Sequence, residues 1–317
     1  MSEKVRVAAN RNDEQLIRQQ AISWIRAVSD DGSRALESKE IGEFAFNGRR
    51  IPLKGQQGIW NPKGFSAALS VRTSFTPEGK LAPYPDRVEK DGLVRYSWYK
   101  SDGSHGFNVA LRNAMAQQVP VIWFYEVAES LFSTMAPVYV IAEEPQEKRF
   151  VLAFSADDEP IAPVEHPSVL EESLKRYLRV QTKIRLHQPV FRSTVLTAYK
   201  NQCAVCKLGH AQLLDAAHIV PDREDLGIAS VVNGMALCKI HHAAFDNYFL
   251  GIRPDHIVEI RHDLLMEVDG PMLRHGLQDL HGRALMALPN SEADWPREDL
   301  LENAYDKFRK ATVEDVA

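Results

Sequence analysis

Every cysteine of this chain falls in one C-terminal stretch, at a spacing that suits metal binding. Cys203 and Cys206 have two residues between them, and Cys238 and His241 repeat that spacing. Two intervening residues let a tight turn aim both side chains at one ion, and thiolates with an imidazole favour zinc over magnesium or calcium. The pattern predicts a closed Cys3His site of Cys203, Cys206, Cys238 and His241 around a structural Zn²⁺. Such a site can supply on the order of 10 kcal/mol of folding free energy to a small domain. Three cysteines cannot all pair as disulfides, and no βαβ pattern surrounds Cys203 to suit a redox CxxC. The same stretch carries a second set of groups that can bind a cation or move a proton: Asp215, His218, Asn233, His242 and Asp246.

The elements that must position these groups can be read locally. A strand is predicted over 213–220. Alternation on it puts Asp215 and Ala217 on one face and His218 on the other. Asn233-Gly234 reads as a turn into the next strand, and His241 and His242 open a helix. Neighbouring side chains on a helix point about 100° apart, so one histidine can face zinc while the other faces a phosphate. Asp246 lies one helical turn after His242 on the same face.

In this order the residues resemble the HNH endonuclease family, in its bacterial restriction-type branch. The resemblance covers most of 193–312, including Tyr248-Phe249-Leu250-Gly251-Ile252 and a closing Leu-Pro … Trp-Pro … Leu segment. It implies two antiparallel strands and a helix around one catalytic Mg²⁺ or Mn²⁺. It also implies His218 as general base, Asn233 as the residue that orients His218 or braces its loop, and His242 as a metal ligand. Many relatives carry an aspartate or histidine directly before the catalytic histidine. Here that position is Ala217, so Asp215 and Asp246 are the candidate carboxylates for the ion.

The rest of the chain has a different texture. Apolar residues Leu16, Ile17, Ile22, Trp24, Ile25 and Val28 predict a helix over 13–28 with Asp13 as its cap. Short β-rich runs follow at 44–46, 51–53, 67–73, 93–99, 119–126, 138–141 and 150–154, with one helix over 108–117. This predicts a mostly-β partial barrel with flanking helices. An acidic, proline-rich segment at 157–167 reads as a boundary, followed by a helix over 168–184. Seven basic residues and no acidic ones fall between Ser173 and Lys200, including Arg192, which suits tracking of phosphates. The expected organisation is a recognition domain at 1–160, a basic helical linker at 161–192 and a catalytic domain at 193–317. A last helix is expected over 296–310. The fold class expected is α+β.

Within the β-rich part, Tyr84, Asp86 and Tyr96, with the layout downstream, resemble SRA domains. These are PUA-like modules that flip a modified cytosine out of duplex DNA. The likeness spans about 55–142 and implies that Tyr84 and Tyr96 stack on the base while Asp86 accepts from its exocyclic amine. Trp98, on the face of Tyr96, and Trp60 join the candidate base-binding set, with Tyr99 expected on the opposite face. Trp123 and Phe124 read as sheet core.

The net charge of −5 excludes a protein that coats nucleic acid indiscriminately. No apolar run approaches the roughly eighteen residues of a membrane helix, and no secretory signal is visible, so a cytoplasmic protein is expected. Together the readings point to a modification-dependent, type IV-like restriction endonuclease. It would act on double-stranded DNA with modified cytosine, as a homodimer because two strands need two sites. The alternatives are an HNH nuclease whose N-terminal domain senses another ligand or an unmodified sequence, and an inactive zinc-containing DNA-binding protein.

Overall fold

In the computed structural model, the β-rich texture of the N-terminal half becomes one curled half-barrel sheet of eight strands. The structure describes residues 11–75, 87–88, 93–155, 160–165, 182, 188–221, 224, 226–227 and 229–314. The chain divides into two compact units, Met1–Val190 and Phe191–Ala317. The fold is α+β.

Strands of the first unit are β1 (Leu36–Glu37), β2 (Ala45–Phe46), β3 (Arg49–Arg50), β4 (Ile59–Trp60), β5 (Ser70–Thr73), β6 (Arg87–Val88), β7 (Val94–Ser97), β8 (Val121–Ala128), β9 (Leu131–Glu144) and β10 (Arg149–Phe154). The sheet runs β4-β5-β8-β9-β10-β7-β6, and β1 pairs with β9. The β5–β8 pair is parallel and its register sets Val71 against Trp123; its neighbours are antiparallel. Both faces of β8 are buried, which explains its unbroken apolar run. Val121 and Trp123 pack with the helix Gly106–Ala116. Ile122 and Phe124 pack with the helix Arg11–Val28.

That first helix extends N-terminally past Asp13, which sits in its first turn rather than at the cap. Its buried stripe is Glu14, Ile17, Arg18, Ala21 and Ile25. The charged pair in the stripe bonds to the loops it clamps. Arg18 donates to the carbonyls of Ala67, Ala68 and Pro120, while Glu14 accepts from the Ser66 and Ala67 amides. A buried pair bonded to both loops orders the entries to β5 and β8, because removing either partner strands the other charge.

Some expected elements differ. Ile51 and Leu53 are buried without forming a strand. The run at 138–141 is part of the longer β9. The strand expected over 93–99 ends at Ser97, where a 3-10 turn over Tyr99–Ser101 begins. Residues 160–165, within the expected boundary segment, lie on the sheet: Ile161 and Val164 pack against it and the Val164 amide donates to Ile141 O. The helix expected over 168–184 falls outside the described residues except for Thr182.

In the second unit, β11 (Leu214–His218) pairs antiparallel with β12 (Gly234–Cys238), and the helix Lys239–Asp246 follows at once. A hairpin of β13 (Leu250–Ile252) and β14 (Val258–Ile260) comes next. The C-terminal helix Glu298–Glu314 buries Leu300, Leu301, Ala304 and Phe308 along one face. Gly251 lets that helix approach, since a Cβ there would sit 2.7 Å from the Phe308 ring. No helix among the described residues is long and apolar enough to cross a membrane.

Candidate active site

The strand pair and helix bring the four predicted zinc ligands to one point. Cys203 and Cys206 sit on a tight turn in which the Lys207 amide donates to Cys203 O. Cys238 caps the helix and His241 lies in its first turn. All four ligand atoms lie within 4.8 Å of one another, and among the described residues this is the only such group of three or more. The His241 ring gives its tautomer away. Nδ1 faces Cys238 Sγ at 3.2 Å and Cys203 Sγ at 3.4 Å, while Nε2 donates to Gly276 O at 2.8 Å. With Nε2 carrying the proton, Nδ1 is free to coordinate, which is the usual outer-shell arrangement of a metal-bound histidine. Hydrogen bonds from Cys203 and then Cys206 hold the Cys238 thiol well below its usual range. Three thiols and an inward imidazole, most of them buried, fit one tetrahedral ion.

His242, the next residue, faces the other way. It lines an open cleft of about 460 Å³ with His218, Asp246, Tyr248, Glu224 and Lys307. Its ring bridges two carboxylates: Nδ1 lies 3.1 Å from Asp215 Oδ2, and Nε2 lies 3.3 Å from Asp246 Oδ2. The other oxygen of Asp215 takes the Lys239 ammonium at 2.5 Å. Partial burial opposes ionisation of Asp215, yet Lys239 and His242 outweigh it and keep its pKa below the ordinary carboxylate value. With Nδ1 turned to Asp215, Nε2 faces Asp246. Cis ligands at about 2.1 Å from one octahedral ion sit about 3 Å apart, so the spacing accommodates a divalent ion. Ala217, where relatives carry a ligand, is fully buried in the core.

His218 ends β11 at the cleft, its ring stacked on Phe191 at 3.9 Å between centroids and 12° between planes. Its register partner is Gly234, where a Cβ would meet Val195 at 2.5 Å and Phe191 at 3.0 Å. Glycine is required there because the helix Gln188–Ala198 occupies the space. Asn233 is fully buried and grips the loop after His218: its amide group both donates to Val220 O and accepts from Val220 N, each at 2.9 Å. Arg192, from the basic run, donates to the carbonyls of Ala211 and Leu214 and so holds the approach to β11. The basic residues from Lys175 to Arg185 lie outside the described residues.

In the first unit, two of the candidate base-binding residues meet: Tyr96 lies in one core cluster and Trp98 packs against it. Tyr84 and Asp86 lie outside the described residues. Tyr96 is buried in one core cluster with Ala110, Leu111 and Ala114, its hydroxyl 2.8 Å from Gly58 O and 3.0 Å from Arg72 O. Trp98 packs against Phe150 and Gly103. Trp60 lies on Gly55 and donates to Pro52 O. Tyr99 packs on the same cluster as Tyr96, not on the opposite face, because the strand ends before it and the turn swings it back. Buried Asn108 fixes that turn, accepting from the Tyr99 amide and donating to Tyr99 O. Tyr96 and Tyr99 line a cavity of about 220 Å³ with Gln56, Gln57, Arg72 and Ser74. Sequence reasoning missed Gln56 and Gln57, since nothing local marks them, and it placed Asn108 at the start of a helix without its bonds to the Tyr99 turn.

Residues 203–253 match the HNH endonuclease family model, and the span includes both the cysteine cluster and the cleft histidines. No curated protein matches the sequence. Among solved structures, a modification-dependent restriction endonuclease, TagI, is 16% identical with a TM-score of 0.29, over 80% of this chain and 85% of its own. A type IV phosphorothioation-dependent restriction endonuclease, ScoMcrA, is 12% identical with a TM-score of 0.24, over 82% of this chain and 53% of its own. The stretch 203–253 is an HNH endonuclease domain on the family match and on its ββα geometry.

Proposed function

We propose that the protein is a DNA endonuclease that tests for modified cytosine through residues 1–160 and cuts through an HNH site in residues 193–317, with 161–192 as a basic linker. The observation that carries this is the meeting of His218, His242 and Asp246 on one open cleft of a ββα unit. His218 takes a proton from the attacking water. Phe191 fixes the plane of its ring, and Asn233 fixes the loop behind it. Such a positioned base contributes about 10²- to 10⁴-fold. His242 and Asp246 would hold a divalent ion, Mg²⁺ or Mn²⁺, which would supply charge stabilisation at the leaving oxygen. Two protein ligands would suffice, since such ions are commonly bound by one or two side chains with substrate phosphates. Asp215 holds His242 from behind, because one imidazole cannot present both nitrogens to one ion. Cys203, Cys206, Cys238 and His241 hold a structural zinc.

Recognition rests on the cavity at Gln56, Gln57, Tyr96 and Tyr99, with Tyr84 and Asp86 close in sequence to the strand that bears Tyr96. Aromatic walls and amide groups suit a planar base with a polar edge. The burial of Tyr96 favours a second reading, in which this cavity senses another small ligand and the nuclease is otherwise the same. Cutting both strands calls for two copies of the site, and we propose a homodimer. The test is cleavage of plasmids carrying cytosine, methylcytosine or hydroxymethylcytosine, with Mg²⁺ or Mn²⁺. Cutting restricted to a modified plasmid supports the reading. Equal cutting of all three supports the second, and no cutting of any rejects the nuclease.

A further inference from the structure

We infer that Lys307, on the C-terminal helix, is the phosphate-contacting cation of the cleft and that Glu224 occupies its ammonium until DNA arrives. The inference rests on the cleft being the phosphodiester site. Among the described residues, Asp246 and Glu224 are the carboxylates lining that cleft, and Lys307 is its one lysine or arginine. With Asp246 given to the ion, Lys307 and Glu224 are the charged pair left to meet a polyanion.

The lysine stands on a fixed base. Phe308 seats its helix on Gly251, and the Tyr305 hydroxyl donates to Glu259 Oε2 at 2.6 Å. Its tip is exchangeable. Lys307 Nζ and Glu224 Oε2 are 2.5 Å apart, yet the two side chains are 32% and 35% exposed. A pair this open contributes little to folding, so a phosphate can replace the carboxylate at small cost. Glu224 lies after β11 and its terminal His218 in sequence and lines the same cleft as the proposed base.

Cleavage kinetics of the full chain on a methylcytosine duplex and its unmodified counterpart, over a salt series with Mg²⁺, test this. Lys307→Gln is expected to raise KM by on the order of tenfold, the effect of losing one charge-assisted contact. It should also flatten the log–log salt slope by about 0.9, one phosphate contact. Lys307→Arg should restore both. Glu224→Gln should act with the opposite sign, lowering KM by about two- to fivefold, since it frees the cation from a weak surface pair. If Lys307→Gln leaves KM and slope at the wild-type values, or if both variants raise KM together with matched losses in melting temperature, the pair is structural and the inference falls. Wild-type protein that cuts while His218→Ala does not keeps the nuclease reading intact in that event. Wild-type protein that cuts neither duplex overturns both.

Discussion

His241 and His242 are adjacent on one helix and live in opposite surroundings. His241 is 3% exposed among thiols, with its outer nitrogen on a backbone carbonyl. His242 stands at the edge of an open cleft between two carboxylates. One residue type does two jobs because a step of about 100° along a helix separates a dry, soft-ligand site from a wet, hard-ligand one. In the function proposed above, the first site holds the fold together and the second performs the chemistry. Perturbing each should therefore give different losses.

The largest effect is expected at the cysteine cluster. Stripping the metal, or Cys238→Ala, should unfold the second unit, because structural zinc is worth on the order of 10 kcal/mol and a domain has only about 5–15. Metal analysis should find one zinc per chain, and loss of near- and far-UV dichroism on chelation would report the unfolding. A second unit that stays folded without metal would erase the contrast between the two histidines. Next comes His218→Ala, which should cost about 10²- to 10⁴-fold in cleavage while zinc content and melting stay unchanged. Asp215→Asn should weaken Mn²⁺ binding about 10- to 100-fold, the scale of an outer-shell partner, measured by paramagnetic resonance of free Mn²⁺. Asp246→Asn should weaken it further if Asp246 is the direct ligand; equal or reversed effects would exchange the two roles. The smallest is Gly234→Ala. Pressing a methyl into Val195 and Phe191 should cost about 1–3 kcal/mol in a denaturant titration and tilt the ring stacked on His218.

What could be read from sequence followed the range over which each signal acts. The cysteine cluster was legible because its ligand pairs sit three positions apart, and short spacing fixes direction. The placing of Asp215 opposite His218 on the strand was legible from pleating alone. Its contact with His242 was not, since that needs the helix to fold back across β11. Lys307 gave no signal: its place at the cleft depends on Phe308 meeting Gly251, more than fifty positions earlier. In the first unit, aromatic content misled in one respect. Alternation put Tyr96 and Trp98 on a common face, but it could not tell that Tyr96 is buried in a core cluster shared with Ala110, Leu111 and Ala114. Ile51 and Leu53 likewise alternate as a strand would, though they are buried in an irregular segment. The curled sheet itself was expected from the spacing of β-rich runs, while the order of its strands depends on pairings that sequence texture does not encode.

The division of labour between the two histidines is tested most directly by making His241→Ala and His242→Ala and measuring zinc content and DNA cleavage on the same preparations. His242→Ala is expected to retain one zinc per chain and the wild-type melting temperature but to cut at least about 10²-fold more slowly. His241→Ala is expected to lose the zinc and the fold together. A His242→Ala protein that sheds its zinc, or that cuts like the wild type, would contradict that division.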